Sequence, residues 1–176
     1  MRIRHTAIIA AICLLAPAAA RPQGGGIELG AVAPGAIVET LDGRRVDLAT
    51  YYGGKPVVIE FWATWCPLCK QLEAPLEAAR AKYAGRVTFV SVGVKDNQTP
   101  EGQKAYVEAR RLGGEFVFDR DGNAVAAYRA PHTSYLVVIS AEGKVVYTGA
   151  GGEQDIEAAV GKAVKMERPA PGAGGR

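Results

Sequence analysis

The chain predicts an α/β domain built on parallel strands, on three observations. A short apolar run rich in β-branched and aromatic residues, Val57 to Trp62, is followed by a segment with helical spacing of its apolar residues. The same strand-then-helix pattern returns over 86–94 and 99–112. At the first strand-to-helix junction stands Cys66-Pro67-Leu68-Cys69. Strand, helix, strand, helix in succession implies parallel strands joined by right-handed crossovers.

The chain opens with the basic Met1-Arg2-Ile3-Arg4-His5, continues through apolar Ala7 to Ala16 and reaches Ala18-Ala19-Ala20. This reads as a secretory signal peptide over 1–20, cleaved after Ala20. The apolar stretch falls short of the roughly 20 residues of a membrane span, and an uncleaved N-terminal segment acting as an anchor is the alternative. Cys13 leaves with the signal, and the bulky Ile12 before it argues against lipoprotein processing. Cleavage leaves 156 residues with 19 basic and 18 acidic side chains, so no charge footprint for nucleic acid or an anionic membrane remains. That length suits one domain over 29–166, expected as a monomer, with a flexible lead at 21–28 and a Gly/Pro-rich disordered tail at 167–176.

Within the domain, residues 36–41 and 44–48 flank Asp42-Gly43 and read as a β-hairpin, the glycine supplying the positive φ of a tight turn. Strand 57–62 follows. Leu72, Leu76, Ala79 and Tyr83 mark the buried stripe of a helix over 66–84. Arg86 to Val94 is a second buried strand, and Thr99 with Pro100 forms the N-cap and first residue of a helix to Leu112. Gly114 to Phe118 reads as a short edge strand, Asn123 to Arg129 as a short helix, and Ser134–Ser140 with Lys144–Thr148 as a second hairpin. Gln154 to Met166 closes the domain as a helix. Asp119 to Asn123 faintly suggests a calcium loop, but it lacks the downstream glutamate and reads as a turn.

Cys66 and Cys69 are the only cysteines after cleavage. They close too small a loop to staple a fold, and with His132 as the one remaining histidine the chain lacks four ligands for structural zinc. A cycling dithiol is the better reading. Cys66 falls at a helix N-terminus, where unpaired N–H groups and the helix dipole stabilise a thiolate, whereas Cys69 lies one turn further in and is expected to be more buried. Cys66 then attacks and Cys69 resolves the mixed disulfide. Glu60 is a carboxyl in an otherwise apolar strand. It is either a proton acceptor of raised pKa for Cys69, directly or through water, or a side chain that escapes to solvent or pairs with a lysine. His132 is either a solvated loop residue or a group close enough to influence Cys66. Trp62 is assigned to the core, while Trp65 and Pro67 flank the nucleophile where a partner's disulfide would dock.

Phe61-Trp62-Ala63-Thr64-Trp65-Cys66-Pro67-Leu68-Cys69 resembles the active-site signature of thioredoxin-fold proteins, in the form seen in thiol-disulfide oxidoreductases of the TlpA/ResA type. Ala33-Pro34, Leu41 to Leu48, Tyr52 to Val58 and Ser140 to Val146 extend the similarity over roughly Leu29 to Met166. The resemblance implies a thioredoxin fold, a central mixed sheet flanked by helices with an N-terminal β-hairpin extension. It places Glu60 where thioredoxin has its buried aspartate.

Three departures accompany the resemblance. The inter-cysteine pair is Pro-Leu rather than the usual Pro-Pro or Glu-Pro. The helix proline, Pro75, follows Cys69 by six residues rather than five. The family's cis-proline before the third core strand has no counterpart at the usual spacing: counting back from Gly143 lands on Ser134, with Thr133 before it, whereas the nearest proline is Pro131, and one of the two occupies that loop. A non-proline cis bond costs about 2.5–4 kcal/mol, so the Thr133–Ser134 bond is expected to be trans. Thr133 and Ser134 are expected to face the cysteines and offer backbone to a substrate.

The activity implied is dithiol–disulfide exchange with substrate proteins, without a cofactor, after export to an extracytoplasmic space. The resemblance leans toward reduction, as in cytochrome c maturation or upkeep of a copper centre, with electrons from a membrane thiol-disulfide reductase. The fold itself does not choose a direction, since potentials run from about −270 mV in thioredoxin to about −120 mV in DsbA. A Cu(I) chaperone using Cys66, Cys69 and His132 is a second reading, although such carriers typically space their cysteines by three residues. A peroxiredoxin-like peroxidase ranks lower, because Ala63 stands where that family wants Thr or Ser.

Overall fold

A computed structural model describes residues 25–166. The expected signal peptide, the lead up to residue 24 and the tail from 167 lie outside the described residues. The end of the lead packs onto the domain: Ile27 lies against the core and its N–H donates to the Tyr135 hydroxyl at 3.1 Å.

The N-terminal hairpin pairs β1 (Ile37–Thr40) with β2 (Arg45–Asp47), and Gly43 takes φ 84° in the turn. β2 stops earlier than its residues suggest because Asp47 turns the chain. Its carboxylate accepts from Ala36 N–H (3.0 Å) and Ala49 N–H (2.9 Å), capping a 3-10 turn over Leu48–Tyr51. β3 (Val57–Trp62) is buried at every position, as a strand covered on both faces should be. Then follow α1 (Pro67–Lys82), β4 (Thr88–Val94), α2 (Pro100–Arg110), β5 (Glu115–Asp119) and α3 (Asn123–Ala127). β6 (Tyr135–Ile139), β7 (Val145–Ala150) and α4 (Ile156–Lys165) complete the domain. Thr99 caps α2 by accepting from Gly102 N–H at 3.1 Å.

The seven strands form one mixed sheet in the order β2-β1-β5-β4-β3-β6-β7, with β3, β4 and β5 parallel and the remaining pairs antiparallel. The strand at Gly114–Phe118, expected at an edge, is interior as β5. The N-terminal hairpin adds to it through β1, which buries Val117, Phe118 and Asp119. The sequence 119–123 is a turn: both oxygens of Asp119 accept backbone N–H groups, from Ala124 at 3.1 Å and Val125 at 2.9 Å.

Alternation along β3 splits the core. Ile59 and Phe61 pack with Val92, Tyr128 and Val137 on one side. Val58 packs with Leu72, Leu76 and Ala79 of α1 and Val160 of α4 on the other. Each such fully buried aliphatic side chain contributes roughly 1.5–3 kcal/mol. Glu60 shares the parity of Val58 and therefore points toward α1. The register Phe61↔Tyr135↔Ala150 brings the end of β3, the start of β6 and the end of β7 to one edge of the sheet. The residues just beyond those strand ends, Cys66, Ser134 and Gly151, leave from that edge.

Candidate active site

Cys66 is the N-cap of α1, with extended backbone (φ −78°, ψ 114°) and Pro67 as the first helical residue. Proline is suited to that position because its missing N–H would have no helical partner there. The Cys66 sulfur accepts the Cys69 N–H at 3.1 Å, so a helix-end donor is directed at the sulfur expected to attack. The two cysteines are joined as a disulfide across the first turn, with Cα atoms 5.3 Å apart. The expectation that Cys69 is the more buried of the two is corrected: both are 3 % exposed. As the cap residue, Cys66 folds its sulfur back over the helix end instead of outward. The exposed surface at this point belongs to Trp65 (46 %), Pro67 and Leu68 (41 %).

The turn leading into Cys66 is held by a residue absent from the sequence reading. Gln98, in the β4–α2 loop, accepts from Thr64 N–H at 3.0 Å and donates to the carbonyls of Val94 (2.5 Å) and Trp62 (3.4 Å). Trp65 is tied to the same loop by its indole N–H, which donates to the Asp96 carbonyl at 2.7 Å. A loop glutamine in polar sequence gives no signal by which it could be singled out.

Glu60 is buried, 7 % exposed, and accepts a hydrogen bond from the Ser91 hydroxyl at 3.3 Å. Burial pushes its pKa up to about 8, while Ser91 and Arg80 pull it down and Glu73 adds to the rise. The carboxyl shares a cavity of about 20 Å³ with Cys69, Trp62, Glu73, Arg80 and Ser91. That volume accommodates one water molecule. The Trp62 indole N–H is buried without a hydrogen-bond partner among the described residues, and its ring lines this cavity. Outward from Glu60, the Glu73 carboxylate accepts from the Tyr106 hydroxyl at 2.6 Å and pairs with Arg110 at 2.6 Å. Burial and the Glu73 carboxylate raise the Tyr106 pKa to about 12. Ser91 could have been found from sequence: it is the polar side chain inside the apolar run Phe89–Val94 of the second buried strand, and parallel pairing sets it opposite Glu60.

In the loop before β6, Thr133 is half-buried and Ser134 fully buried. Every peptide bond in the described residues is trans, and Ser134 instead makes the turn into β6 with a left-handed backbone, φ 62°. Pro131 and His132 are exposed. The His132 Nδ1 lies 2.6 Å from the carbonyl of its neighbour Thr133, so the ring is engaged within its own loop. Among the described residues, no three His, Cys, Asp or Glu side chains are grouped to hold a metal ion.

A Cys-x-x-Cys pair at the tip of a strand–helix unit, on a mixed sheet of this order, has relatives. The thiol-disulfide oxidoreductase ResA of Bacillus subtilis is 29 % identical over 120 residues, 68 % of this chain and 66 % of its own. The thiol:disulfide interchange protein DsbE of Yersinia pestis is 30 % identical over 135 residues, 72 % of this chain and 66 % of its own. The chain thus spans just under two thirds of the length of these curated relatives. Among solved structures, the thioredoxin domain of a thiol-disulfide oxidoreductase from Bacteroides vulgatus superposes with a TM-score of 0.68, covering 78 % of this chain and 99 % of that one at 22 % identity. The Redoxin family model matches residues 28–164, from the last residues of the lead to the end of α4, and the chain therefore belongs to the Redoxin family as a thioredoxin-like protein of the TlpA/ResA type.

Proposed function

We propose that the protein is an exported thiol-disulfide oxidoreductase that exchanges the Cys66–Cys69 pair with disulfides of substrate proteins. The observation that carries this reading is the disulfide itself, with one sulfur on the backbone donor of a helix N-terminus and the other sharing a cavity with a buried carboxyl. In the reducing direction the Cys66 thiolate attacks a substrate disulfide. A Cys66–substrate bond forms and one substrate thiolate leaves. Cys69 then gives its proton to the Glu60 carboxylate, directly or through a water in the shared cavity, and attacks the Cys66 sulfur. The mixed disulfide breaks, the second substrate thiolate departs, and two electrons have passed from the dithiol to the substrate. In the reverse direction Glu60 in its neutral form supplies the proton that Cys69 needs as its bond opens.

Reduction is the favoured direction, in cytochrome c maturation or upkeep of a copper centre, with a membrane thiol-disulfide reductase resetting the pair. Trp65, Pro67 and the half-buried Thr133 form the surface on which the substrate docks; Ser134, expected there as well, is fully buried and can only support Thr133 from behind, and the protein works as a monomer without a cofactor. Relatives named ResA and DsbE support this reading, and the basic, apolar N-terminus supports export. No helix among the described residues is long and apolar enough to cross a membrane.

Insulin reduction tests the activity, and titration against glutathione tests the direction. Cys66→Ser should abolish insulin reduction, and Cys69→Ser should accumulate mixed disulfides with substrate. A potential near about −270 mV supports reduction, whereas one near about −120 mV reverses the direction. Equal alkylation rates for the two reduced thiols would refute the assigned roles.

A further inference from the structure

Ser134 adopts a backbone conformation that side-chain-bearing residues seldom take and that persists only where neighbours over-determine it. Here the neighbours come from the end of β7 and the β7–α4 loop. The Gln154 amide donates to the Ser134 carbonyl at 3.0 Å and to the Gly151 carbonyl at 2.7 Å. The Tyr147 hydroxyl donates to Gln154 Oε1 at 3.1 Å, which fixes the amide's orientation. The Gly151 N–H is shared between the Ser134 carbonyl and hydroxyl, each at 3.3 Å. Gly149 lets these groups meet, because a Cβ there would lie 2.5 Å from Gln154 Oε1 and would collide with the Tyr147 hydroxyl. At Gly152 the loop lies against the side chain of Gln71, two residues beyond Cys69 on α1. The loop thus bridges the cysteine helix and Ser134.

We propose that Gln154 is a positioning residue for thiol–disulfide exchange: by clamping the buried Ser134 in the left-handed form, it fixes the half-buried Thr133 before it as a docking rail for an extended polypeptide segment that carries the substrate disulfide. Gln154 has no assigned part in proton or electron transfer. Its effect is therefore confined to substrates large enough to lie along the rail, and the role presupposes the exchange activity proposed above.

The test compares a polypeptide with a small reactant on the full mature chain. Gln154→Ala should raise KM for reduction of insulin by about fivefold or more with kcat within about twofold. The rate at which dithiothreitol reduces the Cys66–Cys69 disulfide should stay within about twofold, since that dithiol does not lie along the rail. Tyr147→Phe removes only the bond that orients the amide and should raise KM for insulin by a smaller factor. It carries the test if near-UV circular dichroism shows that Gln154→Ala has lost its fold. Unchanged KM for insulin, or a fall in the dithiothreitol rate that parallels the loss with insulin, would overturn the clamp. A wild-type protein that does not reduce insulin would overturn the exchange activity itself, a different outcome from an active wild type that Gln154→Ala matches.

Discussion

Replacing Glu60 by Gln keeps the volume of the side chain and removes its titration, so its effect on stability should depend on pH in a calculable way. The folded-state pKa of about 8 lies above the ordinary value of 4.5. The native protein therefore retains a proton that the unfolded chain releases over that interval, and stability falls as pH rises from about 4.5 to about 8. Integrating the linkage between those two values gives a loss of about 4 kcal/mol from pH 5 to pH 9. Glu60→Gln lacks this dependence. Urea unfolding of both oxidised proteins at pH 5, 7 and 9 should show the variant's advantage over wild type growing by about that amount. The same substitution should slow resolution of the mixed disulfide and abolish the part of its pH dependence centred near 8. A stability difference that stays constant across the pH range would refute both the buried charge and the proton-acceptor role built on it.

Gln98→Ala deletes three hydrogen bonds to the backbone in a part-buried site, from the Thr64 N–H and to the Trp62 carbonyl just ahead of the cysteines and to the Val94 carbonyl at the end of β4. It should cost about 1–3 kcal/mol in urea unfolding, and a cost below about 0.5 kcal/mol would show that the turn holds itself. His132→Ala should leave the pH profile of Cys66 alkylation unmoved, because the exposed ring engages Thr133; a shifted profile would place it beside the sulfur after all. Intact mass of the exported protein should correspond to a chain beginning at Arg21. A product that retains Met1 to Ala20 would mean an anchor.

What was legible in the sequence was local. Apolar periodicity over Val57–Trp62, Leu72–Tyr83 and Arg86–Val94 announces β3, α1 and β4 because each pattern is set by the element's own backbone repeat. Strand order is not local, and β5 shows the consequence. Its neighbour β1 comes from some 75 residues upstream, so a run that looks like an edge lies in the interior. The apolar Phe116-Val117-Phe118 could have argued for burial on both sides. Glu60 stood out as a charge in an apolar strand, and the parallel register that pairs it with Ser91 was available in principle. Gln98 and Gln154 were not legible. Each is a glutamine in a polar loop, a setting in which most glutamines face water, and only the tertiary fold brings their amides to backbone groups distant in sequence.

The two sulfurs illustrate why position in the helix is a better guide to chemistry than exposure. Both cysteines are 3 % exposed, so depth alone gives neither a distinct role. Their partners differ. Cys66, at the cap, meets the Cys69 N–H, a donor that favours negative charge on sulfur and needs no acidic or basic neighbour to do so. Cys69, inside the first turn, faces the cavity that holds Glu60, a group able to take a proton but costly to ionise while buried. In the proposed mechanism one sulfur carries charge and the other loses a proton. That asymmetry follows from a strand that ends in a cysteine-capped helix with a carboxyl six residues before the cap, and it survives the replacement of both the usual inter-cysteine pair and the cis-proline.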